Sequence, residues 1–342
     1  MFDHIADAVK LPDLVRIGDN LVVARFETMK VYSALAAVEH LLNTGAVQPG
    51  DTLMDSSSGT YAYSLALACH KYGMKCHIVC STKADPSVVT QLELLGATVE
   101  QVPIPPGPMV DKMDLEVRLK RINEILAARR DVYWMQQYHN GFHYHGYREV
   151  AALIDREMPG APLTVVGGVG SGASTGGLAT YLRELRPDVE LVGIQPYESV
   201  TFGSEPVEDP VASISGIGSP VYFANVTYEL YDRIHWIAHD QAVAATLALY
   251  RDHGIFGGMS SGCCYLAAEW EARQNPDRQF LFIGADTGHR YMSSVYTKHD
   301  QAVSLTGLEP RGIRELTELE LPWAVMDWNR RPYEVAPKVL PC

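Results

Sequence analysis

The sequence predicts an α/β protein built on two open, mostly parallel twisted sheets flanked by helices. Three observations predict it. Strand-like and helix-like segments alternate from Lys30 to about residue 285, in two successive series. Most helical segments begin at Asp or Ser or stop at Gly, as capping requires. Glycine- or serine-rich turns join several strands to the helices that follow, which is where open α/β sheets place their ligands.

The first series opens with VYSALAAVEHLLNTG, residues 31–45, apolar at helical spacing and ended by glycine. Strand DTLMD, helix YAYSLALACHKYG, strand KCHIVC, helix DPSVVTQLELLG and strand TVEQV follow. A charged amphipathic helix from about Asp114 to Arg130 and strand VYWMQQ complete it. The second series runs through helix REVAALIDRE, strand PLTVVGG, helix ASTGGLATYLREL and strand VELVGIQP. After a looser Gly/Ser/Pro-rich stretch at 201–220 come strand HWIA, helices DQAVAATLALYRDHG and SSGCCYLAAEWEA, and strand QFLFIGA. The segment after about residue 298, including ELPWAVMDWNRRPYEV, has no clear periodicity. The expected division is a smaller unit at 31–140, a larger one formed by 1–30 and 141–300, and a tail at 301–342.

A chain of 342 residues, 47% hydrophobic and 20% charged, has room for two cores. Its formal net charge of −13 disfavours nucleic acid and anionic membrane as partners. No stretch approaches the roughly 18 apolar residues of a membrane span. The opening MFDHIADAVKLPD lacks the cationic and apolar regions of a secretory signal, so a cytoplasmic location is expected. Cysteines at 69, 76, 80, 263, 264 and 342 read as buried reduced thiols rather than disulfides or zinc ligands. No metal is expected either at His139, His143 and His145 in YHNGFHYHGY, which fit neither helical nor strand spacing together.

Four places carry candidate chemistry. In VVGGVGSGASTGG, residues 165–177, a glycine-rich turn joins strand to helix, and converging N–H groups there cradle phosphate. Gly168-x-Gly170-x-x-Ala173 also fits a dinucleotide fingerprint. In DSSSGTYAYSLA, residues 55–66, hydroxyls join backbone donors in a second anion nest. Lys30, in FETMKVYSA, lies between Met29 and an apolar helix face, where desolvation would make its amine nucleophilic. Ser260 and Ser261 open a helix in GIFGGMSSGCC, and IGADTGHRY follows the last strand of the alternation.

In this order, from about residue 20 to 297, the motifs resemble the fold-type II pyridoxal-phosphate enzymes (tryptophan synthase β-like fold), most closely the cysteine synthase and cystathionine β-synthase group. The resemblance implies pyridoxal 5′-phosphate as cofactor and Lys30 as its Schiff-base lysine and the catalytic base. It implies that Gly170, Ser171, Gly172, Ala173 and Ser174 hold the cofactor phosphate, and that Ser260 bonds the pyridine nitrogen. Ser57, Ser58, Gly59 and Thr60 stand where the family binds the substrate α-carboxylate, Thr60 following Lys30 at the family's separation. Gln137 of QQY and Gly216 of SGIGSP stand at further substrate-binding positions. Thr60 replaces the family asparagine that contacts the cofactor, and Tyr61 and Tyr63 replace small or aliphatic residues, which points to a specialised substrate.

The implied reaction is β-replacement through an aminoacrylate intermediate on an O-activated serine or cysteine-like amino acid. A neutral serine at 260 cannot stabilise a protonated ring nitrogen as aspartate would, which favours prompt β-departure. The alternative is β-elimination, as in a C–S lyase or a serine/threonine dehydratase. An NAD-dependent oxidoreductase would need an acidic residue where the next strand ends in Gln195, and would leave Lys30 without a role. A non-catalytic binding module is the remaining reading. A homodimer is implied by the resemblance alone.

Overall fold

The computed structural model describes residues 1–104, 110–209 and 214–333. In chain order the elements are β1 (Asp13–Arg16), β2 (Leu21–Arg25), α1 (Lys30–Asn43), β3 (Thr52–Ser56), α2 (Thr60–Tyr72), β4 (Lys75–Ser81), α3 (Pro86–Leu94), β5 (Thr98–Val102), α4 (Val110–Ala128) and β6 (Val132–Trp134). They continue with α5 (Arg148–Glu157), β7 (Leu163–Gly168), α6 (Ala173–Leu185), β8 (Glu190–Gln195), β9 (Arg233–Ile237), α7 (His239–His253), α8 (Met259–Gln274), β10 (Gln279–Gly284), β11 (Arg311–Gly312) and β12 (Trp323–Asp327). The α/β class with two mostly parallel sheets is as the sequence predicts.

One unit comprises Met1–Lys10 and Lys30–Gly146. Its four strands are all parallel, in the order β5-β4-β3-β6. The inner strand β3 is buried at every position and β4 at all but its first, as strands covered on both faces must be. Helix α1 turns Val31, Ala34, Ala37, Val38 and Leu41 inward, an i, i+3, i+4, i+7 stripe. Helix α2 stops at Gly73, whose φ of 65° allows its N–H to close on the Cys69 carbonyl. Helix α3 starts where Asp85 accepts the Ser87 N–H at 2.8 Å and Pro86 takes the first turn. The first ten residues belong here and not with the larger unit, contrary to expectation, because Ala6 packs with Val31 and Leu67.

The other unit comprises Leu11–Met29 and the chain from Tyr147 onward. Its eight strands run β1-β2-β10-β7-β8-β9-β12-β11. The five from β2 to β9 are parallel, with antiparallel β1 and β12 on either side. Residues 13–25 and 311–327 supply strands where the sequence shows no alternation with helices. Strand β12 docks through a buried polar chain. Glu271, 1% exposed, accepts Arg233 Nε at 2.7 Å and His235 Nε2 at 3.1 Å. His235 Nδ1 in turn accepts from Trp323 Nε1 at 3.1 Å. Burial alone would raise the Glu271 carboxyl, but its bonds to His235 and Arg233 outweigh that and hold it below its ordinary value.

Cysteines 69, 76, 80, 263 and 264 are free and buried; Cys342 lies outside the described residues. Among the described residues no helix is long and apolar enough to cross a membrane.

Candidate active site

Strand β7 ends at Gly167-Gly168, and four residues separate it from the start of α6. Gly172, the residue before the helix, has φ +83° and no side-chain cap bond at the helix start. A Cβ there would lie 2.5 Å from the Asn225 carbonyl oxygen, and one on Gly170 would lie 2.4 Å from that of Gly216. The turn is therefore glycine-lined because another backbone passes against it. Gly218 N–H donates to the Val169 carbonyl at 2.8 Å, fixing the 215–220 turn to the loop. Ser171 Oγ accepts weakly from Ala173 N–H at 3.4 Å, and Thr175 Oγ1 meets Tyr231 OH at 2.7 Å.

Donor groups at the start of a 13-residue helix, a neighbouring serine and close backbone packing form a cradle that fits a phosphate. Beside it lies α8, whose Ser260 Cβ would be 3.8 Å from a Cβ placed on Gly168. Next to Ser260, Ser261 Oγ accepts the Ala285 N–H at 3.1 Å, joining α8 to the end of β10. Cys264, one turn on, is buried, and burial pushes its thiol up to about 12. Met29 N–H donates to the Ala285 carbonyl at 2.9 Å, and Lys30 follows it in the chain as the first residue of α1. Lys30 is half-buried. This unit thus brings together the 168–174 loop, Gly216 and Ser260.

The other unit brings together Ser57–Thr60 and Gln137. Ser57, 7% exposed, turns its hydroxyl back onto Gly59 and Ala62 N–H at 3.3 and 3.2 Å, closing the turn into α2. Thr60 is the first residue of that helix and its carbonyl accepts Ser64 Oγ at 2.7 Å. Gln137 donates from Nε2 to the Ser56 carbonyl at 2.8 Å and from its backbone to Asp55 Oδ2 at 3.0 Å. The strand expected over 132–137 ends at Trp134, because Gln136 takes φ +50° and turns the chain so that Gln137 reaches Ser56.

Beneath this loop lies a buried network that the sequence reading does not single out. Asp55 accepts Ser56 N–H at 2.7 Å and Trp134 Nε1 at 3.1 Å besides Gln137. Burial nevertheless raises its carboxyl to about 6. Arg118 of α4 donates to Ser56 Oγ at 2.9 Å and to Asp114 Oδ1 at 2.8 Å. An acid directly before the serine run was its one visible sign; Arg118 looked like any charge on an amphipathic helix. Tyr61 is buried and meets His143 edge-on, with ring centroids 5.6 Å apart. His143 Nε2 donates to the Met135 carbonyl at 3.2 Å, its Nδ1 accepts from Ser33 Oγ at 3.3 Å, and burial lowers its pKa to about 4. It is a structural, neutral histidine.

The glycine-lined turn ahead of α6 and Ser260 thus lie in one unit and Lys30 opens α1 of the other, on the tryptophan synthase β-like fold. The family model described as "Pyridoxal-phosphate dependent enzyme" matches residues 24–283, and the chain belongs to that family. It is 30% identical over 302 residues to N-(2-amino-2-carboxyethyl)-L-glutamate synthase of Cupriavidus metallidurans, covering 84% of this chain and 86% of that one. It is 27% identical over 283 residues to cysteine synthase of Helicobacter pylori, covering 81% and 83%. The crystal structure of an O-acetylserine dependent cystathionine β-synthase from Helicobacter pylori superposes with a TM-score of 0.77 at 24% identity, over 86% of this chain and 99% of that one. Its cofactor is pyridoxal phosphate.

Proposed function

We propose that this enzyme catalyses β-replacement on an O-activated serine or a cysteine-like amino acid. The observation that carries the reading is Ser260, a neutral hydroxyl against Gly168 where the cofactor loop begins. Both relatives above are synthases, which supports replacement over elimination.

Pyridoxal phosphate, when bound, supplies the electron sink that renders the substrate Cα proton acidic. The rest falls to the chain's own residues. Lys30 would hold the cofactor and, once released by the substrate amine, accept the Cα proton on Nζ. The 170–174 cradle would hold the phosphate, and Ser260 would bond the ring nitrogen without transferring charge to it. Ser57–Thr60 and Gln137 would orient the substrate carboxylate, and Gly216 would border the substrate. Thr60 gives a hydroxyl where the family has an amide, and Tyr61 takes core volume behind it, both in keeping with a specialised substrate. A dinucleotide reading is disfavoured by Gln195, whose amide is committed to the Val169 carbonyl at 2.7 Å and to Ser199 Oγ at 3.0 Å. We place the enzyme in the cytoplasm as a homodimer.

The test begins with the purified protein. A visible absorbance band is expected that borohydride bleaches, leaving the reduced pyridoxyl group on the peptide containing Lys30, and Lys30→Ala should lack both. O-acetyl-L-serine or O-phospho-L-serine, given with sulfide or an amino acid, should yield a β-substituted product. Pyruvate and ammonia formed at the same rate with and without the second substrate would establish elimination instead.

A further inference from the structure

The family match ends at residue 283, yet residues well beyond that point fasten onto the Tyr231–Asp232 segment that contacts α6. After β12 the chain makes a left-handed turn at Asn329 and Arg330, with φ of 55° and 54°. Asparagine tolerates this region, but arginine seldom occupies it, so surrounding bonds must hold it there. They do. Trp328 and Asn329 N–H donate to the Asp232 carbonyl at 2.7 and 2.9 Å, and Arg330 N–H donates to the Tyr231 carbonyl at 2.8 Å. The turn is a clasp on Tyr231–Asp232.

Both clasped residues act on α6, the helix whose start is the phosphate cradle. Tyr231 OH meets Thr175 Oγ1 at 2.7 Å, and Thr175 Oγ1 lies 3.4 Å from the Gly172 carbonyl that closes the helix's first turn. Asp232 bridges Arg330 Nε, at 2.8 Å, and Arg183 of α6, at 2.9 Å. Fully buried Trp328 supports the clasp from behind. It meets Phe202 edge-on at 4.9 Å between centroids, and Phe202 meets the Tyr231 ring at 5.1 Å. The start of α6 is thus tied to a segment that residues 328–330 hold in place.

We infer that Trp328–Arg330 is a positioning element for the cofactor phosphate, acting through Tyr231 and Asp232 on Thr175 and Arg183 of α6. The inference rests on the cradle reading proposed above. Its physical basis is that hydrogen bonds to a phosphate weaken steeply with misalignment, so a helix held near its start at Thr175 and in its last turn at Arg183 keeps its donors aimed.

The test compares three ligands on the full-length apoenzyme: pyridoxal phosphate, pyridoxal and inorganic phosphate. Tyr231→Phe keeps the ring and removes the hydroxyl, and circular dichroism checks the fold of each variant. Tyr231→Phe should weaken pyridoxal phosphate and inorganic phosphate about fivefold, or ~1 kcal/mol, and leave pyridoxal unchanged. Arg330→Ala should act in the same direction. Wild-type phosphate affinity in both variants, with Gly172→Ala losing it, would overturn the inference and leave the proposed function standing. So would equal losses for pyridoxal and pyridoxal phosphate, the mark of a merely structural role. Full phosphate affinity in Gly172→Ala would remove the cradle reading, and this inference with it.

Discussion

Three glycines around the cradle differ in a way that separates backbone strain from steric exclusion. Gly216 has φ +90° and open space, with no atom within 4 Å of an added Cβ. Gly170 is not left-handed, but its Cβ would lie 2.4 Å from the Gly216 carbonyl oxygen. Gly172 combines both, with φ +83° and the Asn225 carbonyl oxygen at 2.5 Å. Alanine at Gly216 should therefore cost only the left-handed penalty, ~1–2 kcal/mol. At Gly170 the obstacle is backbone, which no rotamer can relieve, and the cost is that of overpacking, ~1–3 kcal/mol. At Gly172 the two should add to about 2–5 kcal/mol. Urea unfolding of the apoenzyme measures the stabilities, and cofactor titration reads the site. Gly170→Ala and Gly172→Ala should lose pyridoxal phosphate affinity by about a hundredfold, since the backbone must move by most of an ångström. Gly216→Ala should stay close to wild type. A Gly172→Ala variant no less stable than Gly216→Ala, with its cofactor affinity intact, would refute the reasoning.

Two buried acids give further tests. Asp55 titrates near 6 rather than 3.8, so its protonated form favours the fold. Its contribution is present below about pH 4 and is lost as pH rises through 6, about 3 kcal/mol in all. Asp55→Asn should flatten that part of the stability profile in urea titrations from pH 4 to 7; an unchanged slope would show that another group is responsible. Glu271 behaves in the opposite sense. Its pKa is lowered, so its stabilisation is present above the ordinary glutamate range and is lost as pH falls through the depressed value. Glu271→Ala should cost about 3–5 kcal/mol by taking the carboxylate from part-buried Arg233 and leaving the buried His235 N–H without its acceptor. Glu271→Gln should cost less, and equal losses for the two would mean that charge plays no part.

Most of the helices and parallel strands were legible, because their apolar periodicity and caps are local. REVAALIDRE, TVEQV and ASTGGLATYLREL coincide with α5, β5 and α6. The segments that escaped are those whose partners are distant. Strand β12 is exposed at one position only, but what makes it a strand is its pairing with β9 and the Trp323–His235 bond across 88 residues. The short β1 alternates with nothing nearby and is a strand through its pairing with β2. Gln136 gave no turn signal in sequence; its left-handed φ serves the Gln137–Ser56 bond.

The same division holds at the site. Sequence by itself determined the chemical groups and their order: a lysine opening a helix, two glycine- and serine-bearing turns between strand and helix, a serine at the start of α8. Those depend on residue type, spacing and short-range backbone geometry. Only the tertiary structure decided what holds them. It placed Asp55 and Arg118 beneath Ser56, brought the Asn225 and Gly216 carbonyls against the cradle glycines, and folded residues 328–330 onto the segment that grips α6. Such contacts join residues tens to more than a hundred positions apart. Their energies come from burial and alignment, which local pattern does not encode.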